Sequence, residues 1–291
     1  MEQVTLKSFA KINLFLKVES KRTDGFHNIK TLFQTIDLSD EVEISKTPAG
    51  ISISCDDPVV PVDNSNIAWK AAELFLKEFD IKSGVKIKIS KNIPVTAGLA
   101  GGSSNAAAVL NGCCKLFGIK NDFNKLSKLA ISIGSDVPFL LKGGTALGLG
   151  RGEVLTEINP VKESWLVLIV EGVKPSTGKI YSGFTNTLTK ADVFDKKLEE
   201  LKILKEAEGG DLAKILYNDL ETPAGKFFPI LFSVKEDLMK AGALGTLMSG
   251  SGPTVFGIAA SKEAAEEIAK KMKLKYKRVI VTKTVRAGAG C

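Results

Sequence analysis

A glycine-rich loop, Pro94-Val95-Thr96-Ala97-Gly98-Leu99-Ala100-Gly101-Gly102-Ser103-Ser104-Asn105, runs without a break into Ala106-Ala107-Ala108-Val109-Leu110, and this junction constrains the chain more than any other stretch. Glycines let backbone N–H groups approach an anion closely, and the first turn of a following helix adds unpaired N–H groups and the positive end of its dipole. The junction reads as a phosphate cradle. A flexible surface loop would give no reason for a helix-forming alanine run to follow at once. No Lys-Ser or Lys-Thr pair closes the loop in the manner of G-x-x-x-x-G-K-[ST], and the dinucleotide spacing G-x-G-x-x-G is absent. The cation and the base for phosphate chemistry must come from elsewhere in the chain.

With 291 residues, 44% of them hydrophobic and 25% charged, there is material for two domains of medium size. No apolar run approaches the roughly eighteen residues of a membrane span, and Met1-Glu2-Gln3-Val4-Thr5-Leu6-Lys7 lacks the apolar core of a signal peptide, so a cytoplasmic protein without a membrane partner is expected. Cys113-Cys114, Cys55 and Cys291 show neither zinc-ligand spacing nor C-x-x-C, and read as structural thiols. The net charge of +7 comes from dispersed lysines that do not interleave with aromatics. That pattern argues against nucleic acid as partner and suits an enzyme whose small-molecule substrates carry several phosphates. His27 is the one histidine, which argues against a metal site built on His clusters and against a Ser-His-Asp triad, the latter also for want of a G-x-S-x-G elbow.

Along the chain, Val4, Leu6, Ala10, Ile12, Leu14, Leu16 and Val18 alternate, which predicts a strand with one buried face and places Lys11 and Asn13 together on the other. Further strands are expected at Ile36–Ile44 and Val85–Ile89, and helices at Asn66–Phe79, from the loop to about Gly118, and at Leu126–Ile133. The glycine-rich run Gly143–Gly152 reads as a strand and turn leading out of a first domain. Beyond it come a buried strand at Trp165–Val170, a helix at Thr189–Ala207, two strands around Ser249-Gly250-Ser251-Gly252-Pro253, a helix at Lys262–Met272 and a strand at Arg278–Thr284. This order suggests an α+β sandwich in the second half.

The loop Pro94–Ala106, the strand segment Ala10-Lys11-Ile12-Asn13-Leu14 and the turn Ser249-Gly250-Ser251-Gly252 together resemble the three ordered motifs of the GHMP kinase superfamily. The resemblance implies an α+β, two-domain GHMP kinase fold. An N-terminal ribosomal-protein-S5-domain-2-like ATP-binding domain would cover 1–157, and a C-terminal ferredoxin-like α/β sandwich that binds substrate would cover 158–291. Arg22-Thr23-Asp24-Gly25-Phe26-His27 looks like the R-x-D-G-[YF]-H signature of one branch, and Gly134-Ser135-Asp136-Val137-Pro138 like its G-[AS]-D-V-P segment. That branch phosphorylates the 2-hydroxyl of 4-diphosphocytidyl-2-C-methyl-D-erythritol in the non-mevalonate route to isoprenoid precursors, using ATP and Mg²⁺. Ala100 stands where glycine is common and Phe26 where tyrosine is common. The methyl is a small change if residue 100 avoids positive φ, and phenylalanine keeps the stacking face. A homoserine, mevalonate or sugar kinase of the same superfamily would share the loop without needing Asp24–His27, and a basic nucleic-acid-binding protein would need no chemistry at all.

Phosphoryl transfer is mostly positioning and charge stabilisation, with a carboxylate to take the hydroxyl proton. The resemblance assigns that role to Asp136, although an Asp two residues before Pro138 also has the form of a helix N-cap. Lys11 would keep Asp136 ionised and orient the acceptor hydroxyl, and Asn13 either touches substrate or bonds within the strand. Backbone amides from Gly98 to Ser104, within the cofactor-binding stretch Pro94, Val95, Thr96, Ala97, Gly98, Leu99, Ala100, Gly101, Gly102, Ser103 and Ser104, would hold the ATP phosphates. Ser103 or Ser104 is placed to reach Mg²⁺, and Asn105 either caps the helix or ligates. For the acceptor, Phe26 and Tyr181 would clamp a cytosine while His27 reads its edge, with Lys30 and Arg151 as diphosphate contacts. The sequence leaves the metal ligands open, and a monomer or weak homodimer is expected.

Overall fold

The alternation from Val4 to Val18 becomes strand β1 (Gln3–Lys21), paired antiparallel with β2 (His27–Thr47), so that Arg22 to Phe26 form the turn of one long hairpin. The computed structural model describes residues 2–172, 176–184 and 209–288. Strand β1 departs from the expectation of a single buried face. Phe9, Lys11, Asn13 and Phe15 are as buried as Ala10, Ile12 and Leu14, because both faces of this central strand are covered by other layers. Strands β3 (Ile51–Cys55), β4 (Gly84–Ser90), β5 (Thr145–Leu149) and β6 (Val154–Glu157) extend the sheet. The run Gly143–Gly152 contains the expected strand and turn, and both stay with the first sheet: β5 pairs with β2, and the turn after it returns the chain as β6 alongside β5.

Strand β7 (Trp165–Val170) opens a second sheet. The two-residue β8 (Tyr217–Asn218) goes back to lie parallel to β1, opposite Phe15 and Leu16, and completes seven strands in the first sheet. Strands β9 (Gly245–Met248), β10 (Thr254–Ala259) and β11 (Val279–Lys283) join β7 in the order β11-β7-β10-β9. The period of two then sorts the cores. In β7 and β10, Leu166, Leu168, Phe256 and Ile258 cluster with Ala10, Ile12 and Leu14 of β1, whereas Val167, Ile169 and Val255 cluster with helical residues such as Leu238 and Ile268. The result is four layers: helices, large sheet, small sheet, helices. The α+β class expected from the sequence is the class adopted.

The outer helical layer of the large sheet consists of α1 (Ile67–Glu78), α2 (Gly101–Phe117), α3 (Phe123–Ile133) and α4 (Val137–Lys142). Asn66 caps α1 by accepting from the Ala68 N–H, and Gly118 ends α2 in the left-handed region at φ 68°. Helix α2 sits unusually close to the sheet. Ala106, Ala107 and Ala108 have no exposed surface, and a Cβ at Gly112 would lie 2.4 Å from Cδ1 of Ile44. Small residues thus fix where the N-terminus of α2 points. Cys113 and Cys114 are buried in the same helix, and burial raises both thiol pKa values, that of Cys114 to about 11, in keeping with a structural role.

Helices α5 (Thr177–Ser182), α6 (Gly209–Ile215), α7 (Glu221–Phe227), α8 (Ile230–Ala241) and α9 (Lys262–Met272) belong to the second half, and α9 has the bounds its periodicity predicts. The helix expected at Thr189–Ala207 and Cys291 lie outside the described residues. Among the described residues no helix is long and apolar enough to cross a membrane.

Candidate active site

The glycine loop is built from alternating backbone hands. Thr96 (φ 56°), Gly98 (φ 78°) and Ala100 (φ 56°) are left-handed, separated by residues that are not, a pattern that turns successive N–H groups into one anion-binding concavity. Ala100 thus adopts a positive φ, so its methyl is not the small change expected for a residue with negative φ. It occupies the N-cap position of α2 without a side-chain cap, so the first N–H groups of the helix stay available. The loop is pinned from behind: Lys11 N donates to Leu99 O at 3.1 Å, Thr254 N to Ala97 O at 3.3 Å, and the Ser249 hydroxyl to Gly98 O at 3.0 Å. At Gly98 a Cβ would come within 2.5 Å of Ser249 O, so the turn after β9 and the phosphate loop touch backbone to backbone.

These elements border a cleft of about 890 Å³ that gathers Lys11, Asn13, Phe26, His27, Asp136 and Tyr181 with Pro94–Gly98 and Ala100–Ser103. Of the expected loop residues, Leu99 and Ser104 do not line it. Leu99 packs into the apolar cluster between the sheets, and the Ser104 hydroxyl donates to Phe9 O at 2.7 Å. Of the two serines expected to reach Mg²⁺, Ser103 is therefore the one that lines the cleft. Asn105 does not cap α2; its amide donates at 2.9 Å to Ser8 Oγ and to Asp40 Oδ2.

Lys11 and Asp136 meet at the centre, Nζ to Oδ2 3.9 Å. Asp136 stands at the N-cap position of α4, yet its side chain makes no cap hydrogen bond. Two local features work against a cap: Pro138 at the second helical position has no N–H, and Asp136 is itself helical (φ −84°, ψ −17°), whereas capping residues are typically extended. The carboxylate is left one-third exposed, at 34%, while the Lys11 side chain is buried at 5%. Burial pulls the Lys11 pKa below its ordinary value and the Asp136 charge opposes that pull. The Lys11 Nζ is further satisfied by Asn13 Oδ1 at 2.7 Å and by the face of Phe33, 5.3 Å away.

At the far end of the cleft the Arg22–His27 turn braces itself. Asp24 accepts from Arg22 Nε at 3.0 Å and from the Phe26 N–H at 3.1 Å, and Arg22 also reaches Asn28 Oδ1 at 3.0 Å. Phe26 is left 53% exposed with the Arg151 guanidinium 5.0 Å over its ring. Tyr181 stacks on His27, ring centroids 5.5 Å apart. Burial and the charge of Lys21 lower the His27 pKa, which favours the neutral imidazole, and burial and the Asp136 charge raise that of Tyr181. Arg151 lines the cleft, whereas Lys30 pairs with Glu19 at 3.5 Å and lies outside it.

Sequence reasoning missed Lys91 and Asp40. Lys91 lines the cleft beside Gly101 and pairs at 2.5 Å with Asp40, which has no exposed side-chain surface and also accepts from Asn92 N and Ile93 N. A signal was present. Asp40 interrupts the apolar phase Ile36, Leu38, Val42, Ile44, and an acid at a core-facing position demands partners.

The sequence profile of the GHMP kinases N terminal domain matches residues 66–144 and that of the GHMP kinases C terminal domain matches residues 199–278. A 4-diphosphocytidyl-2-C-methyl-D-erythritol kinase of Clostridium botulinum (strain Eklund 17B / Type B) is 43% identical over 97% of this chain and 100% of its own length. The enzyme of that name from Acetivibrio thermocellus is 45% identical over 91% of this chain and 93% of its own. The chain belongs to this family of GHMP kinases. A crystal structure of 4-(cytidine 5'-diphospho)-2C-methyl-D-erythritol kinase superposes with a TM-score of 0.82 at 30% identity, covering 99% of this chain and 100% of that one. A homoserine kinase from Cytophaga hutchinsonii shares the GHMP kinase fold at a TM-score of 0.77 and 22% identity, over 99% of this chain and 97% of that one.

Proposed function

We propose that this GHMP kinase transfers the γ-phosphoryl group of ATP to the 2-hydroxyl of 4-diphosphocytidyl-2-C-methyl-D-erythritol, a step of the non-mevalonate route to isoprenoid precursors. The observation that carries the reading is the meeting in one cleft of the phosphate loop, the Lys11–Asp136 pair and the Asp24–His27 signature.

In this reading the amides of the Pro94–Ser104 loop and the first turn of α2 bind the β- and γ-phosphates. Asp136 accepts the proton of the acceptor hydroxyl as its oxygen attacks the γ-phosphorus; the bond from that phosphorus to the bridging oxygen breaks, and ADP leaves. Lys11 holds Asp136 ionised and helps to orient the hydroxyl, and Asn13 fixes Lys11 from the opposite side. Mg²⁺ would draw on the Ser103 hydroxyl and the ATP phosphates and supply charge neutralisation, which suits a cation that commonly keeps water and few protein ligands. Phe26 offers one stacking face to the cytosine, while the His27–Tyr181 stack presents a neutral imidazole to its edge.

The donor side would be residues 1–157 and the acceptor side 158–291, the acceptor being read by both, since Phe26 and His27 come from the first part and Tyr181 from the second. We place the enzyme in the cytoplasm as a monomer or weak homodimer acting on small molecules, without nucleic-acid or membrane partner; a cleft of about 890 Å³ supports the small-molecule part of this reading, and dispersed lysines argue against nucleic acid. An ADP-release assay across 4-diphosphocytidyl-2-C-methyl-D-erythritol, homoserine, mevalonate and a sugar tests the function. Turnover is expected with the first alone; preferred turnover of any other acceptor would reassign the substrate.

A further inference from the structure

The orientation of the Asn13 amide is decided by a residue outside the cleft, Thr31 on β2. Thr31 has no exposed surface, and its hydroxyl donates to Phe15 O at 2.7 Å. With its one proton committed there, the hydroxyl can only accept from the other side, and it accepts from Asn13 Nδ2 at 2.7 Å. The amide must therefore turn its Oδ1 the other way, toward Lys11, whose Nζ donates to it at 2.7 Å. An ammonium has donors only, so a reversed amide would set two donors face to face. The chain of bonds Phe15 O, Thr31, Asn13, Lys11 has a single consistent direction. It ends at the ammonium beside Asp136.

From this relay we infer that Thr31 is a positioning residue for phosphoryl transfer: its hydroxyl locks the Asn13 amide so that Lys11 has a fixed acceptor and stays directed at Asp136. The inference rests on the proposed role of the Lys11–Asp136 pair. The groups around the Lys11 ammonium are Asp136 from the start of α4, Asn13 on its own strand, the Phe33 ring on β2, and Gly250 from the turn after β9, whose added Cβ would stand 3.6 Å from Nζ. Asp136 is the charged one among them. With the amide free to reverse, the ammonium would lose its acceptor and meet a donor.

The test compares Thr31→Val, which keeps the shape and removes the hydroxyl, with Thr31→Ser, which keeps the hydroxyl, in the full chain. Thr31→Val should lower kcat by about tenfold, the scale of one hydrogen bond to a charged group, with the ATP KM changed by less than about twofold. Its alkaline limb of kcat should also move to lower pH: the protonated lysine is the useful form, activity is lost as pH rises through its pKa, and losing an acceptor lowers that pKa. Thr31→Ser should stay within about threefold of the parent and leave the limb in place. An unchanged kcat in Thr31→Val, a loss shared equally by Thr31→Ser, or an unmoved alkaline limb would each overturn the inference. Lys11→Met separates the two levels. If that variant turns over normally, the role of the pair has failed; if it is inactive while Thr31→Val is normal, only the relay has.

Discussion

Phe26 is the residue whose surroundings differ most from what a stacking role would suggest in isolation. It is 53% exposed at the tip of the β1–β2 hairpin, and its backing is the Arg151 guanidinium. An exposed phenylalanine braced by Asp24 and Arg151 has an unspent face, which is what a planar base needs. Phe26→Ala should raise the acceptor KM by about tenfold, within the range for loss of one base–aromatic stack, while the ATP KM stays within about twofold. Steady-state kinetics with each substrate varied in turn decide the matter. Equal rises in both KM values would place Phe26 outside the acceptor site.

Elements were legible where local chemistry fixes them and illegible where distant partners do. Helices α1, α2 and α9 declare themselves through Asn66, Gly118 and Ser261, which end or begin them by side-chain caps or a left-handed glycine. Helices α7 and α8 carry weaker signals, since Glu221–Phe227 and Ile230–Ala241 begin with no side-chain cap and expose Phe227, Ile230 and Phe232. The anion-binding loop could be read from its glycines and the alanine run after them, whereas Lys11 and Asn13 on β1 stood out only through the resemblance to the family's motifs. The spending of Ser104 and Asn105 could not be read, because their partners Phe9, Ser8 and Asp40 lie far back in the chain. The hand of residue 100 was also hidden, since alanine is a poor marker of positive φ. At φ 56° its left-handed backbone costs about 1 kcal/mol more than glycine would. Ala100→Gly should accordingly raise Tm by about 2–4 °C with ATP KM nearly unchanged; a lower Tm in thermal denaturation would mean that the methyl packing outweighs the backbone strain.

At the scale of the whole molecule, the site exists because separate parts of the chain converge on the sheet-to-sheet boundary. Strand β1 brings Lys11, α4 brings Asp136, α2 aims its N-terminus at them, and the turn after β9 pins the loop from the second half. The return of β8 to β1 ties this together: the Asn218 side chain donates to both Met248 O and Gly250 O, at 2.8 Å each. Periodicity carries no trace of such long-range pairing, which is why the strand within Gly143–Gly152 could be read while its place beside β2 could not. In the reaction we propose, this convergence places a general base, Asp136, at the acceptor hydroxyl. Asp136→Asn tests it most directly, with kcat measured alongside ATP affinity by calorimetric titration. A fall in kcat of about two to four orders of magnitude is expected, the share of a general base, with ATP affinity within about threefold of the parent; near-normal turnover in that variant would remove Asp136 from the role of base.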